Sequence, residues 1–469
     1  MCIWSAIYDV QAIQLVALSW GIWHGMMQTY GFCRIYDSKA SGAAAARARV
    51  DFYLCFAWFT AAVLVSPLRF RSCLELYYAS GGPIVPAAAV QGLRMAIIVA
   101  LAAVTAAFFW RHWRDFRSGR GGSQIKLALL ASSIGFWWYC NNGVQNILVG
   151  IALFEVFHDV QYLSIVWIYN RSRVERDDSI KGFMRFVFRR SGSLLGVYVG
   201  LVLAYGSIAL LTSQVSAEWI RQGLVGIVTA SALLHFYYDG FIWKMRETQT
   251  RSMLNISGDG VNALNRRGLP LPTWFPHTLR WAALLIPFTA LCASQLLGRV
   301  VPPLERTAKV VEVLPGDAQA QLNYGKALHE AGRVKEAVEH YQSAVKINPE
   351  LAEAEMFLGL AFGDLGALDE AVQHYERALS LDPRDGKAEC NLASVLAVQG
   401  RRDEARKRFE HSLSIQPDLF LAHKELGDLL VAAGEYDAAI NHYTEALRIR
   451  PNFPEAQQNL DVVRSLLVR

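Results

Sequence analysis

The sequence predicts an all-α protein in two parts: a polytopic bundle of about eight transmembrane helices, then an α-helical solenoid. Three observations carry this. The 469 residues are 53% hydrophobic with a mean hydropathy of +0.21, which is apolar for a soluble globular chain. Charge is divided along the chain: residues 1–306 hold 28 Lys+Arg against 15 Asp+Glu, whereas residues 307–469 hold 18 against 26. Long apolar runs crowd the first part, and a 34-residue period governs the second. These features exclude a single soluble domain and a disordered chain. The seven cysteines are scattered without a CxxC pair, so neither a disulfide scaffold, a zinc ribbon nor a redox dithiol is written here.

A membrane span needs about 20 mainly apolar residues. The candidates are residues 10–30, 52–68, 93–110, 125–141, 144–168, 193–213, 219–243 and 279–297. Asn141-Asn142-Gly143 is the one turn signal between the fourth and fifth, which predicts a tight helical hairpin. Trp or Tyr at several ends fits an interfacial belt. The loops after spans one, three, five and seven are rich in Lys and Arg, such as Arg34, Lys39, Arg47 and Arg49 in the first, while the alternate loops carry few. Cationic loops stay on the cytoplasmic side, so the N-terminus is expected outside and, with eight spans, so is the C-terminal part. Residues 1–30 lack a basic n-region and a small-residue cleavage site, and read as a retained span rather than a signal peptide.

In the second part, Pro315, Pro349, Pro383, Pro417 and Pro451 recur at one interval. Gly332, Gly366, Gly400 and Gly434 keep the same step, as do Ala337, Ala371, Ala405 and Ala439, and the aromatics Tyr341, Tyr375, Phe409 and Tyr443. Small residues let paired helices approach, an aromatic fills the gap to the next unit, and proline ends each second helix. This pattern resembles the tetratricopeptide repeat (TPR), whose 34-residue unit is two antiparallel helices. Four units fit residues 318–453, with 301–317 as a linker and 454–469 as a capping helix. The third unit departs from the pattern, with Ala393 for Gly and Ser412 for Ala.

The resemblance implies a concave surface that binds a protein or peptide. Its inward positions carry over to Gln319, Lys326, Glu353, Met356, Leu360, Cys390, Lys424 and Asp428, a mixed set without one dominant charge. The Lys/Asn set that clamps a C-terminal carboxylate in some family members is not evident. The six histidines of this part (His329, His340, His374, His411, His423, His442) fall at ordinary helix positions and read as solvated or packing residues.

Candidate chemistry lies in the membrane part. Its five histidines are His24, His112, His158, His235 and His277, and the expected topology gathers all five toward the cytoplasmic face. At 1.5 Å per residue, His158 and His235 sit about 15 and 12 Å below the inner ends of their spans. The carboxylates Glu155, Asp159 and Asp239 also fall within spans. Glu155 with His158, and His235 with Asp239, are spaced to share a helix face. Intramembrane ionisable groups cost several kcal/mol unless paired or coordinated. Imidazole with carboxylate suits non-haem iron, manganese or zinc, and Glu-x-x-His is half of the di-iron carboxylate arrangement.

The expected metal set is therefore His24, Glu155, His158, His235 and Asp239, with oxidative chemistry on a lipid-like substrate. The pattern loosely resembles membrane carotene-cleaving oxygenases, in which isolated histidines from several spans hold iron. The HxxxH and HxxHH boxes of membrane desaturases are absent. Interhelical hydrogen bonds among these groups, without metal, are the competing reading, and haem ligation a lesser one. His112 and His277, among Arg and Trp, read as interfacial, and His24 with Gln28 reads equally as headgroup-level polarity. Beyond an oxidoreductase, a non-enzymatic TPR scaffold and a TPR-bearing membrane glycosyltransferase are the alternatives. The last is disfavoured because the external loop from Arg69 to Gly92 offers only Glu75 as a carboxylate. No nucleic-acid partner is expected, since topology accounts for the basic loops.

Overall fold

The computed structural model describes residues 12–39, 44–119, 124–144 and 301–467, with isolated positions between 150 and 295. The described residues are helical with turns, and the chain divides into two compact units, Met1–Val301 and Pro302–Arg469.

The first unit contains α1 (Ala12–Lys39), α2 (Ala44–Val65), α3 (Pro67–Ala79), α4 (Ala87–Arg117) and α5 (Gln124–Asn142). Contacts fix their directions. Tyr30 meets Phe52 edge-on at 5.5 Å and Arg34 approaches Asp51 at 3.9 Å, so α1 and α2 run antiparallel. Trp58 donates to the Thr105 hydroxyl at 3.1 Å and Arg94 to the Leu64 carbonyl at 2.9 Å, which makes α4 antiparallel to α2. Asp51 pairs with Lys126, Phe59 stacks on Trp137 at 5.2 Å, and Asn142 donates to the Ala62 carbonyl at 3.1 Å, so α5 runs parallel to α2. The four long helices alternate in direction. Arg34, Arg49, Arg111, Arg114, Arg117 and Lys126 thereby lie toward the end where α1 and α4 finish and α2 and α5 begin.

Four of the eight expected spans fall on α1, α2, α4 and α5; the remaining four lie outside the described residues except for isolated positions such as Phe154 and Ile286. Among the described residues, α4 alone is long and apolar enough to cross a membrane, and α2 with α3 is a second candidate bent by 80°. At 31 residues, α4 is about 46 Å long. It exposes Leu93, Met95, Val99, Phe109 and Trp110, an apolar surface that a hydrocarbon environment would satisfy.

Boundaries differ from expectation: α1 runs on to Lys39 and α4 to Arg117, so Arg34, Lys39, Arg111, Arg114 and Arg117, expected in loops, are helical. The second span, read as residues 52–68, stops at Val65, and the segment from Arg69 expected as a loop is helical to Ala79. Pro67 has no amide hydrogen to continue the ladder. Ser66 caps the new helix by accepting from the Arg69 amide at 3.4 Å, while its hydroxyl donates to the Asn141 carbonyl at 2.8 Å.

The second unit contains α6 (Pro303–Val313), then the pairs α7 (Ala318–Glu330) with α8 (Val334–Ile347), α9 (Ala352–Asp364) with α10 (Leu368–Leu381), α11 (Gly386–Val398) with α12 (Arg402–Ile415), and α13 (Phe420–Ala432) with α14 (Tyr436–Ile449), and finally α15 (Pro454–Leu467). The segment 301–317, expected as a linker, contains α6. Its Thr307, Val310 and Val313 are buried, and it packs on α7. At the other end α15 buries Ala456, Leu460 and Val463 against the last pair.

The two glycine positions of the repeat have different roles. Gly332, Gly366, Gly400 and Gly434 have φ between 75° and 81°. They end first helices in the left-handed conformation that glycine adopts without a Cβ penalty. Gly325, Gly359 and Gly427 instead sit inside first helices, where a Cβ would lie 2.5–2.8 Å from the rings of Tyr341, Tyr375 and Tyr443. These three are the close-approach positions.

Candidate functional site

The groove residues come from the first helices α7, α9, α11 and α13. Lys326 on α7 forms an ion pair with Glu353 on α9, and its ammonium lies 4.5 Å from the centre of the Phe357 ring. His329 Nε2 meets Asp364 at 2.7 Å, again linking α7 to α9. Gln319 donates to the Asn323 amide oxygen at 3.2 Å. Met356 and Leu360 are half-buried and pack on the core, and the Asn391 amide lies 3.8 Å from the Met356 sulfur. Lys424 pairs with Asp428 at 2.9 Å. Asp428 also accepts from the Tyr443 hydroxyl at 2.5 Å and from Asn459 at 2.8 Å.

Lys326 and Lys424, expected in the groove, are thus each met by an anion, and Met356, Leu360 and Phe357 are half-buried. Cys390, expected in the groove, is buried, and burial pushes its thiol up to about 12, so it is a packing rather than a reactive group. Phe357, Asn391 and Asn459 join the surface without having been singled out from sequence. Phe357 and Asn391 follow groove positions directly, and that one-residue offset was the available signal.

The six histidines are neither free nor simply packed. Four repeats place a polar pair between the fourth residue of the first helix and a residue of the second. These are Gln321 with His340 at 2.7 Å, Glu355 with His374 at 2.7 Å, Glu389 with Arg408 at 3.1 Å, and His423 with His442 at 3.0 Å. His411 adds to Glu389 at 3.0 Å. Gln321, Glu355 and Glu389 are buried, so these contacts satisfy groups that would otherwise be stranded.

Of the expected metal set, only His24 lies among the described residues; Glu155, His158, His235 and Asp239 lie outside them. His24 is 8% exposed and Gln28, one turn on, is 2% exposed, so both are buried within the first unit. Both amide atoms of Gln28 are buried without a hydrogen-bond partner. Between them Gly25 forms a seat: a Cβ there would lie 2.7 Å from Phe154 and 3.3 Å from Phe59. Phe154 also meets Trp137 at 4.3 Å. Phe154 itself is therefore packed against the α1 helix at Gly25, one residue after His24. Among the described residues, no group of three or more His, Cys, Asp or Glu side chains is gathered closely enough to hold a metal.

Comparison with known proteins agrees with the second unit. Tetratricopeptide repeat models match residues 325–366, 352–385 and 385–452. Residues 325–452 are therefore tetratricopeptide repeats, a protein-interaction module. Among solved structures, the MamA protein is 25% identical, covering 32% of this chain and 81% of its own, with a TM-score of 0.28. YrrB, described as a TPR protein with an unusual peptide-binding site, is 20% identical over 35% of this chain and 84% of its own, with a TM-score of 0.30. A thermophilic TPR protein of Thermus thermophilus, TTC0263, is 20% identical over 40% of this chain and 97% of its own, with a TM-score of 0.32. No curated protein matches the chain.

Proposed function

We propose that this chain is an integral membrane protein that uses its TPR array to hold a peptide or protein partner at the membrane surface. The observation that carries the reading is the groove itself. Lys326, Glu353, Met356, Leu360, Lys424 and Asp428 lie on first helices, with the two cations paired and Met356 and Leu360 half-buried. Such a surface selects a partner by shape and apolar contact more than by net charge. Membrane integration rests on the apolar, exposed face of α4 and on the alternating directions of four long helices. The distribution of basic loops in the sequence supports an orientation with the N-terminus and the array outside the cytoplasm.

Photo-crosslinkers placed at Met356 and Leu360 in native membranes test this. A discrete adduct is expected from both positions, and none from Gln373 or Asn441 on the second helices. Equal labelling from all four would remove the groove from consideration. A reporter enzyme active only in the periplasm, fused after Arg469, is expected to be active; activity of a cytoplasmic reporter there would reverse the orientation.

A second reading is favoured by the seating of Phe154 over Gly25. His24, Glu155, His158, His235 and Asp239 would hold non-haem iron, manganese or zinc near the cytoplasmic leaflet, for oxidation of a lipid-like substrate. Gln28, buried beside His24 with its amide unsatisfied, adds a polar group that such a site would use. Detergent-purified protein should then carry near-stoichiometric metal that is lost in His158→Ala and His235→Ala. Metal-free protein with its helical content intact would leave the scaffold alone.

A further inference from the structure

We infer that His423 and His442 form a binding site in the fourth repeat for a divalent transition-metal cation that prefers imidazole, zinc or copper. The inference is independent of the proposed membrane centre. In the first three repeats the corresponding pair combines unlike partners: Gln321 with His340, Glu355 with His374, Glu389 with Arg408. In the fourth, two like bases face each other, Nδ1 to Nδ1 at 3.0 Å. Two imidazole lone pairs at that separation must share a proton or a cation.

The second nitrogen of His423 decides its tautomer. Nε2 lies 3.1 Å from the Pro417 carbonyl oxygen, which can only accept, so Nε2 carries the proton and Nδ1 presents its lone pair. A backbone carbonyl fixing the far nitrogen in this way is how metal-ligating histidines are oriented. Two cis nitrogens, each about 2.0–2.1 Å from one ion, lie about 2.9–3.4 Å apart, and the observed spacing falls in that range. Both rings are half-buried, which leaves the site open to solvent. Glu445, one turn after His442, is bonded at 2.7 Å to the exposed Arg448, which with lesser help from the two rings holds its carboxyl below the usual range. In the structure Glu445 is turned to Arg448 and is not gathered with the two rings; on metal binding it would leave Arg448 to become a third, carboxylate ligand.

The test uses full-length protein in detergent, purified without a histidine tag and titrated with copper(II) while electron paramagnetic resonance is recorded. One copper with hyperfine structure from two nitrogen ligands is expected, displaced by excess zinc. His423→Gln installs the Gln–His pair that the first repeat already uses, so the array should melt as before. Its copper affinity should nevertheless fall roughly tenfold or more. His442→Gln should lose the signal too, Glu445→Gln should weaken it, and His374→Gln, His158→Ala and His235→Ala should leave it unchanged. Absence of a two-nitrogen copper signal, or its persistence in both His423→Gln and His442→Gln, overturns the site and leaves a plain N–H···N hydrogen bond.

Discussion

Gly427 shows how tightly single positions are specified. A methyl group there would lie 2.7 Å from the Tyr443 ring, and that ring is pinned because its hydroxyl donates to Asp428 at 2.5 Å. The third repeat carries Ala393 and Phe409 instead, both fully buried. Without a hydroxyl to tether, Phe409 can yield the space that the Ala393 methyl occupies. Gly427→Ala should therefore cost about 1–3 kcal/mol of stability in denaturant unfolding, and adding Tyr443→Phe should recover part of it. The other departure of that repeat is also compensated: the buried Ser412 hydroxyl donates to the Gly386 carbonyl at 2.7 Å. Titration acts at this scale too. Burial holds His340 and His442 below their ordinary 6.5, so the unfolded chain binds protons more readily than the folded one. Stability is full above about 6.5, where both states are neutral, and falls as pH drops through the folded values. Melting of the array followed from pH 8 to pH 5 should show this decline, and His442→Gln should flatten it.

At the scale of elements, the second and third helices of the first unit meet at a break at Ser66-Pro67, where the chain bends by 80°. Arg94 stabilises the break. It donates to the Leu64 and Val65 carbonyls at 2.9 and 3.2 Å and covers the Phe70 ring at 5.0 Å. Two helix-end carbonyls lose a charged donor in Arg94→Leu, with an expected cost on the order of 3 kcal/mol, read as a lower melting temperature in detergent. Arg69 does similar work for the end of α5, donating to the Cys140 carbonyl at 2.7 Å and to that of Val144 at 3.2 Å. In the repeats, the turn glycines are the elements' stop signals. Gly400 has φ of 81° with open space where a Cβ would be. Gly400→Ala should cost about 1–2 kcal/mol from conformation alone, whereas Gly427→Ala loses stability from a clash.

At the scale of the molecule, each end of the repeat array is closed. A solenoid exposes the apolar face of its last unit unless a polar-backed helix covers it. Here α6 covers the first pair, and α15 covers the last with Ala456, Leu460 and Val463. A stop codon after Arg450 should uncover the last pair and turn monodisperse protein into aggregates on size exclusion. The first helices that carry Gln319, Lys326, Glu353, Met356, Leu360, Lys424 and Asp428 were readable because a fixed period copies each position into every unit. Their partners were not readable. Lys326 with Glu353, His329 with Asp364, and Asp428 with Asn459 join residues 27 to 35 positions apart, and no local pattern says which side chain meets which.

By itself the sequence determined the helical class, the 34-residue array and the position of each repeat boundary, because proline, glycine and small residues act through local backbone sterics. It also marked the first four apolar helices, through composition alone. Tertiary structure decided what depends on neighbours distant in the chain. It broke the second apolar segment at Pro67 and buried Gln28 beside His24. It separated turn glycines from packing glycines and brought His423 against His442. Each of these depends on where a side chain's partners sit in space, which residue spacing does not encode.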